Sequence, residues 1–220
     1  MLGEVSVFDL TRSEARRRLL SLLFADPVLE YHLRDLARTI DMSIGAVQNV
    51  VGKLEREGVL KRRALGNLAL FSLNRQHPLY GELEAVVTKT IGIAPRLARM
   101  LVEIKGIKLA FIYGSYVSVY SKGGSDWTAE SDVDVLVVGD ADPRAVARVA
   151  RELGAQTHRQ INYTLLASKE LAEKVRKRDS FIAEALAKPI LPLVGFPKAD
   201  CTTPARRKPG ELMKLLGRPG

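Results

Sequence analysis

The sequence predicts an α+β protein built from two domains, and three observations support this prediction. Apolar residues recur at helical spacing over residues 14–57, and two short apolar segments follow them around a turn. Three later segments, at 108–113, 131–139 and 160–166, have the apolar composition of buried strands, with a helical pattern between the last two. Hydrophobic residues make up 46% of the chain and charged residues 27%, which is ordinary for a globular protein and excludes whole-chain disorder and collagen-like repeats.

Three helices are predicted in the first third of the chain. Thr11 and Glu14 have the spacing of a capping box, so a helix should follow them. A second helix should cover residues 31–40, because its leucine, alanine and isoleucine residues recur three and four positions apart. Ser43 can cap a third helix, which Gly58 should end.

The third helix has one apolar and one polar face. The apolar face contains Val47, Val50, Val51 and Leu54, and the polar face contains Gly45, Gln48, Asn49, Gly52, Lys53 and Arg56. Two strands, at 59–63 and 68–73, should then form a hairpin around the turn at Gly66-Asn67.

The order of three helices and a hairpin over residues 11–75 resembles a winged helix-turn-helix domain. The closest resemblance is to the ArsR-like regulators of bacteria and archaea, on the segments Leu54–Arg63 and Phe71–Asn74. It implies a DNA-binding domain at 1–75. The residues expected at DNA are Ser43, Gln48, Asn49, Lys53, Lys61, Arg62 and Arg63.

The chemistry of these residues suits DNA. The amides of Gln48 and Asn49 can pair with adenine in the major groove, and the cationic residues of the helix and the hairpin can neutralise phosphates. The net charge of the chain is +9, but residues 1–80 hold only a modest share of it, so a homodimer would strengthen binding. A merely solvated helix face and a protein-binding or dimerisation unit are the alternatives.

Residues 76–104 are predicted to be a helical linker. Two apolar helical patterns, separated by Gly92, fill this range. The sequence leaves open whether these helices join the domains or pack a dimer.

An acidic pair marks the second domain. Gly114 and Ser115 end an apolar strand, and Asp132 and Asp134 begin the next strongly apolar strand. Alternate residues of a strand share a face, so the two carboxylates should point the same way and repel each other unless a cation or hydrogen bonds offset their charge. Carboxylate oxygens suit Mg²⁺ or Mn²⁺, which also bind substrate phosphates.

This order of strand, Gly-Ser, spacer and Asp-x-Asp resembles the DNA polymerase β-like nucleotidyltransferases, and above all their small, minimal members. The resemblance covers residues 105–195 and implies a small mixed-sheet domain that transfers NMP from an NTP to a hydroxyl acceptor. It implies that Gly114 and Ser115 hold the triphosphate and that Asp132 and Asp134 bind two metal ions.

Two departures from the family pattern affect the expected activity. The spacer before Asp132 is long, and the cation that often follows the Gly-Ser is missing, so Lys122 is the candidate replacement. Asn162 stands where the family has a third carboxylate, and a neutral amide cannot take a proton. Three functions therefore stay open: a nucleotidyltransferase, a DNA-binding regulator whose second domain binds a nucleotide or partner without catalysis, and an antitoxin-like protein that pairs with a small helical protein.

The termini and the cellular compartment can also be predicted from the sequence. Residues 196–220 are rich in Pro, Gly, Lys and Arg and are predicted to be a basic flexible tail. The N-terminus lacks a signal pattern and no apolar run reaches the roughly 18 residues that span a bilayer, so a cytoplasmic protein without membrane contact is expected. Cys201 is the single cysteine and cannot form an internal disulfide.

Overall fold

The computed structural model describes residues 13–121, 132–197 and 203–217. The chain divides into two compact units, residues 1–92 with 156–158 and residues 93–155 with 159–220. Each unit contains helices and one small sheet, so the predicted α+β class is confirmed. Among the described residues, no helix combines the length and the apolar composition needed to cross a membrane.

The first unit contains four described helices around a three-stranded antiparallel sheet, in the strand order β1-β3-β2. The elements are α1 (Glu14–Ala25), β1 (Tyr31–His32), α2 (Leu33–Thr39), α3 (Ile44–Arg56), β2 (Leu60–Leu65), β3 (Leu68–Leu73) and α4 (Tyr80–Thr90).

The second helix is shorter than the predicted span of 31–40. Tyr31 and His32 form β1 and pair with Phe71 and Leu70 of β3, so the helix begins at Leu33. The backbone N–H of Arg34 donates to the His32 side chain, which caps the helix. Sheet pairing therefore takes the first two residues that the apolar spacing assigned to the helix.

The core of the first unit lies between the helices and the hairpin. All four apolar residues predicted for α3 are buried. Ser43 caps this helix as predicted, because its Oγ accepts a hydrogen bond from the backbone N–H of Ala46 at 3.3 Å. Ser13 occupies the N-cap position of α1 without a side-chain hydrogen bond, and Thr11, the predicted capping residue, lies outside the described residues.

The second unit is built on a mixed four-stranded sheet with the order β6-β5-β4-β7. Its elements are α5 (Ile93–Val102), β4 (Ile107–Tyr113), α6 (Ser115–Ser121), β5 (Val133–Gly139), α7 (Pro143–Thr157), β6 (Ile161–Leu166), α8 (Ser168–Arg176), α9 (Ser180–Ala185), β7 (Leu191–Val194) and α10 (Pro209–Leu216). Strands β5 and β6 are parallel, which requires the crossover through α7, and the other pairs are antiparallel.

Alternate residues of β5 enter two separate cores. Val133, Val135 and Val137 pack on the side of α5 and α7. Leu136 and Val138 face the other way, into a core that α8, α9 and α10 cover. Asp132 and Asp134 have the same parity as Leu136, so they lie on the α8–α10 side, where β5 begins.

Two predicted regions differ from the structure. Helices α4 and α5, which fill the range assigned to a linker, divide between the units: Val87 is buried in the first core and Leu97 in the second. The predicted flexible tail is also incorrect for residues 203–217. These residues form α10 and a bridge between Ile190 and Ala205, and Leu212 is fully buried.

These residues fold because they contain an apolar helical face. The high Pro, Gly, Lys and Arg content of the tail made this face hard to recognise in the sequence. Leu212, Met213, Leu215 and Leu216 pack into the α8–α10 core. Pro209 begins the helix, where its fixed backbone angle and missing N–H cost nothing. Residues 198–202 and 218–220 of the predicted tail lie outside the described residues.

Candidate functional site

One amide connects the two aspartates. Asp134 and Asn162 are paired across the parallel strands β5 and β6. The Asn162 Nδ2 atom lies 3.2 Å from Asp132 Oδ2 and 3.2 Å from Asp134 Oδ1, so the amide donates to both carboxylates. The three side chains, which the sequence analysis placed in one site, are therefore in direct contact on one face of the sheet.

A fourth polar side chain extends this row. Gln160 Nε2 donates to Asn162 Oδ1 at 2.9 Å, and the Gln160 carbonyl accepts a hydrogen bond from the backbone N–H of Val133 at 3.0 Å. Gln160 was not among the predicted site residues, although its spacing of two residues from Asn162 places both on the same strand face.

The Gly-Ser turn also reaches the acidic pair. Gly114 has a φ of 79°, and a Cβ atom at this position would lie 3.0 Å from Asp134 Oδ2. Tyr113, just before the turn, is paired with Asp134 across the antiparallel strands β4 and β5. Glycine thus supplies both the left-handed backbone and the space beside the carboxylate.

Ser115 is exposed and is the first residue of α6. Because the first N–H groups of a helix have no intrahelical partner, they and the serine hydroxyl can serve as hydrogen-bond donors. Lys122, the candidate cation, lies outside the described residues.

Tyr113 adds a phenol beside the site. Burial raises the pKa of its hydroxyl, the negative charge of Asp134 raises it further, and a hydrogen bond with Thr164 partly opposes these effects. The charge of Glu184 on α9 acts in the same direction as that of Asp134. The hydroxyl therefore stays protonated at neutral pH and is a hydrogen-bond donor near the aspartates.

The donor set fits a hard divalent cation in part. Carboxylate oxygens are the preferred ligands of Mg²⁺ and Mn²⁺, and Mg²⁺ typically takes one or two carboxylates together with waters and substrate phosphates. In the observed orientation Asn162 presents its NH₂ group to the aspartates, and an amide coordinates a metal only through oxygen. Among the described residues no cluster of three or more His, Cys, Asp and Glu side chains could hold a metal.

The first unit presents the predicted polar face of α3. Gln48, Asn49 and Lys53 are exposed on this helix, next to its exposed Ile44. Within the ranges that the structure describes, Lys53 is in no salt bridge. The hydroxyl of Ser43 is engaged in the cap, so this residue positions the helix.

The three cations of the hairpin are not equivalent. Arg62 lies on the same face of the hairpin as its cross-strand partner Phe71, and Lys61 and Arg63 lie on the opposite face. Two nitrogens of Arg63 donate to the two carboxylate oxygens of Glu30, and the Lys61 Nζ atom donates to Gln76 Oε1 at 2.8 Å.

The three hairpin cations predicted to neutralise phosphates therefore differ in their existing partners. The hydrogen bonds with Arg63 lower the pKa of Glu30 and raise that of Arg63, so both groups are charged at neutral pH. Glu30 is distant from Arg63 in the sequence, and no local pattern signals their contact.

Comparisons with known proteins add no family to these observations. A scan of the sequence against protein-family models finds no match, and a search of curated proteins also finds none.

Proposed function

We propose that this chain is a DNA-binding protein whose second unit is a polymerase β-like nucleotidyltransferase domain, which binds an NTP together with Mg²⁺ or Mn²⁺. The observation that carries the proposal is the meeting of the Gly114 turn with the acidic pair. Asp134 Oδ2 is the atom that a Cβ at Gly114 would meet at 3.0 Å, and Asn162 joins this carboxylate to Asp132.

Each residue has a distinct part in the proposed reaction. Asp132 and Asp134 would hold the divalent cation, which neutralises phosphate charge when bound. Gly114 lets the backbone of the turn approach the Asp134 carboxylate closely. Ser115, next to it, would donate hydrogen bonds to a phosphate of the NTP. The acceptor hydroxyl attacks the α-phosphorus, a new O–P bond forms, and pyrophosphate leaves.

The acceptor proton must go to a base during this transfer. Asn162 cannot take it, because an amide is not basic at neutral pH. The carboxylates of Asp132 and Asp134 and the solvent can take it. We therefore expect slow transfer, limited by proton removal.

Labelled NTPs test this activity. The protein is incubated with labelled NTP, Mg²⁺ and cell lysate, and transfer to an acceptor is measured. Asp132→Ala and Asp134→Ala should abolish labelling. Asp140→Ala is the matched control, since Asp140 is an exposed aspartate just after the other end of β5. Labelling that survives both site substitutions would rule out this mechanism.

We propose that the first unit binds DNA as a winged helix. The order of three helices and a hairpin supports this, as do the exposed amides of α3 and the exposed side chain of Lys53. Binding should weaken as salt rises, and Lys53→Ala and Arg62→Ala should each reduce the logarithmic salt slope by about 1.

The ion pair at the hairpin gives this test an internal contrast. Arg63→Ala should change the slope less than Arg62→Ala, because Glu30 already neutralises Arg63. Lys89→Ala, an exposed lysine of α4, is the control for loss of a general positive charge. Equal effects of all four substitutions would show that binding does not use the helix and hairpin specifically.

The orientation of Asn162 favours a second candidate function, in which the second unit binds a nucleotide without turnover. Its NH₂ group donates hydrogen bonds to both carboxylates, and the residue cannot act as a base. Calorimetry with Mg-NTP distinguishes the two functions. Binding without labelling in wild type, and labelling gained in Asn162→Asp, would support a nucleotide sensor whose catalysis is silenced at one residue.

A further inference from the structure

The amide of Asn162 has two chemically different ends, and the structure shows which end faces the aspartates. Its Nδ2 atom uses one hydrogen for Asp132 and the other for Asp134, and its Oδ1 atom faces Gln160. The two negative charges are thereby held side by side through hydrogen bonds alone. This is the orientation that suits a site without a cation.

A cation between the carboxylates favours the opposite orientation, because the NH₂ group of Asn162 carries partial positive charge and repels a cation beside it. The Asn162 oxygen must then face inward, which turns its NH₂ group toward Gln160. Residue 160 must accept a hydrogen bond in that state, whereas it donates one in the observed state. Glutamine can do both, because rotation of its own terminal amide exchanges oxygen for nitrogen.

The backbone keeps these side chains within reach of each other. Gln160 is held by the hydrogen bond from Val133, and Asn162 by its register with Asp134. Gln160 and Asn162 lie two residues apart on one face of the strand end. Reorientation therefore needs rotation of two terminal amides and no movement of the strands.

We propose that Gln160 is a positioning residue that determines which end of the Asn162 amide faces Asp132 and Asp134, and thereby sets the affinity of the site for a divalent cation. The inference rests on the proposed function, since it assumes that the aspartates bind a cation.

Mn²⁺ binding to the full chain, measured by titration calorimetry without nucleotide, tests the proposal. Gln160→Glu can only accept a hydrogen bond, so it should hold the Asn162 oxygen inward and raise Mn²⁺ affinity about tenfold, the size expected from one charge-assisted hydrogen bond. Gln160→Lys can only donate, so it should lower the affinity. Gln160 is exposed, so these variants should fold normally.

A double-mutant cycle separates orientation from charge. Both substitutions also change the local charge, and this effect is independent of Asn162. The Gln160→Glu substitution is therefore repeated in an Asn162→Ala background, where no amide remains to be oriented. A gain in affinity that falls at least severalfold in that background supports the proposal. The same gain in both backgrounds would show that charge acts directly and would overturn it.

The test also separates the inference from the proposed function. Mn²⁺ binding that Asp132→Asn abolishes, without any coupling between residues 160 and 162, overturns the role of Gln160 alone. If wild type shows no Mn²⁺ binding that depends on Asp132, both the role of Gln160 and the proposed cation site are overturned. Circular dichroism of each variant shows whether the fold is retained.

Discussion

Asn162→Asp changes the charge balance of the site without changing its shape. The substitution replaces an NH₂ group that donates to Asp132 and Asp134 with a third carboxylate oxygen at about the same position. Two attractive contacts become repulsive ones. We therefore expect lower stability without divalent cations and a strong response to Mg²⁺.

The magnitude follows from the two hydrogen bonds. A buried hydrogen bond to a charged group contributes about 1.5–3 kcal/mol, and partial exposure of this site favours the lower value for each bond. Loss of both should lower the free energy of unfolding by about 3 kcal/mol in EDTA. Repulsion among three carboxylates adds to this loss. Mg²⁺ at one hundred times its dissociation constant would raise the free energy of unfolding of the variant by about 2.7 kcal/mol.

Urea denaturation followed by circular dichroism, in EDTA and in Mg²⁺, measures both effects. Asn162→Ala is the control, because it removes the donors without adding a charge. It should lose stability and recover less of it with Mg²⁺ than Asn162→Asp does. The reasoning would be refuted if Asn162→Asp were as stable as wild type in EDTA, or if Mg²⁺ did not raise the stability of the variant.

Three further predictions concern individual positions. Gly114→Ala should lower stability by about 1–2 kcal/mol through its left-handed backbone and should weaken Mn²⁺ binding by displacing the Asp134 carboxylate, as calorimetry would show. Burial raises the pKa of Glu84, which is 2% exposed and accepts a hydrogen bond from Tyr80. Its folded state therefore binds the proton more tightly than the unfolded state, and stability should fall as pH rises through the raised pKa; Glu84→Gln should remove that fall in denaturation curves recorded from pH 4 to 8. Leu136→Ala, at a fully buried position of β5, should lower the free energy of unfolding by about 2–5 kcal/mol in the same assay.

Each of these predictions has a matched control or a contrary result. Gly81→Ala lies in a helix with open space around the new methyl group, so it should raise stability by up to about 1 kcal/mol. A pH profile of Glu84→Gln that parallels that of wild type would assign the titration to another group. A loss below about 1 kcal/mol for Leu136→Ala would mean that the core around β5 collapses around the missing side chain.

Local patterns in the sequence predicted most elements of the fold. Helix α3 and its cap at Ser43 follow from apolar spacing and a hydroxyl at the right position. Helix α10 was missed because its four apolar residues stand among prolines, glycines and cations, and only the α8–α10 core explains their arrangement.

The candidate site was predictable in its residues but not in its contacts. Alternation along β5 predicted that Asp132 and Asp134 share a face. The register that pairs Asp134 with Asn162 depends on the crossover through α7, which no local pattern specifies. The hydrogen bond from Gln160 and the ion pair between Glu30 and Arg63 are likewise products of tertiary structure.

Helix α10 has a practical consequence for anyone who shortens or fuses this chain. Helix α10 packs against α8 and β4, and Leu212 lies in the same core as Phe111 and Leu136, all three of which are fully buried. A truncation placed just after β7 would expose this apolar surface to water, and the remaining fragment would tend to aggregate. Tags and reporter proteins should instead be attached beyond Gly217, where the helix has already covered the sheet.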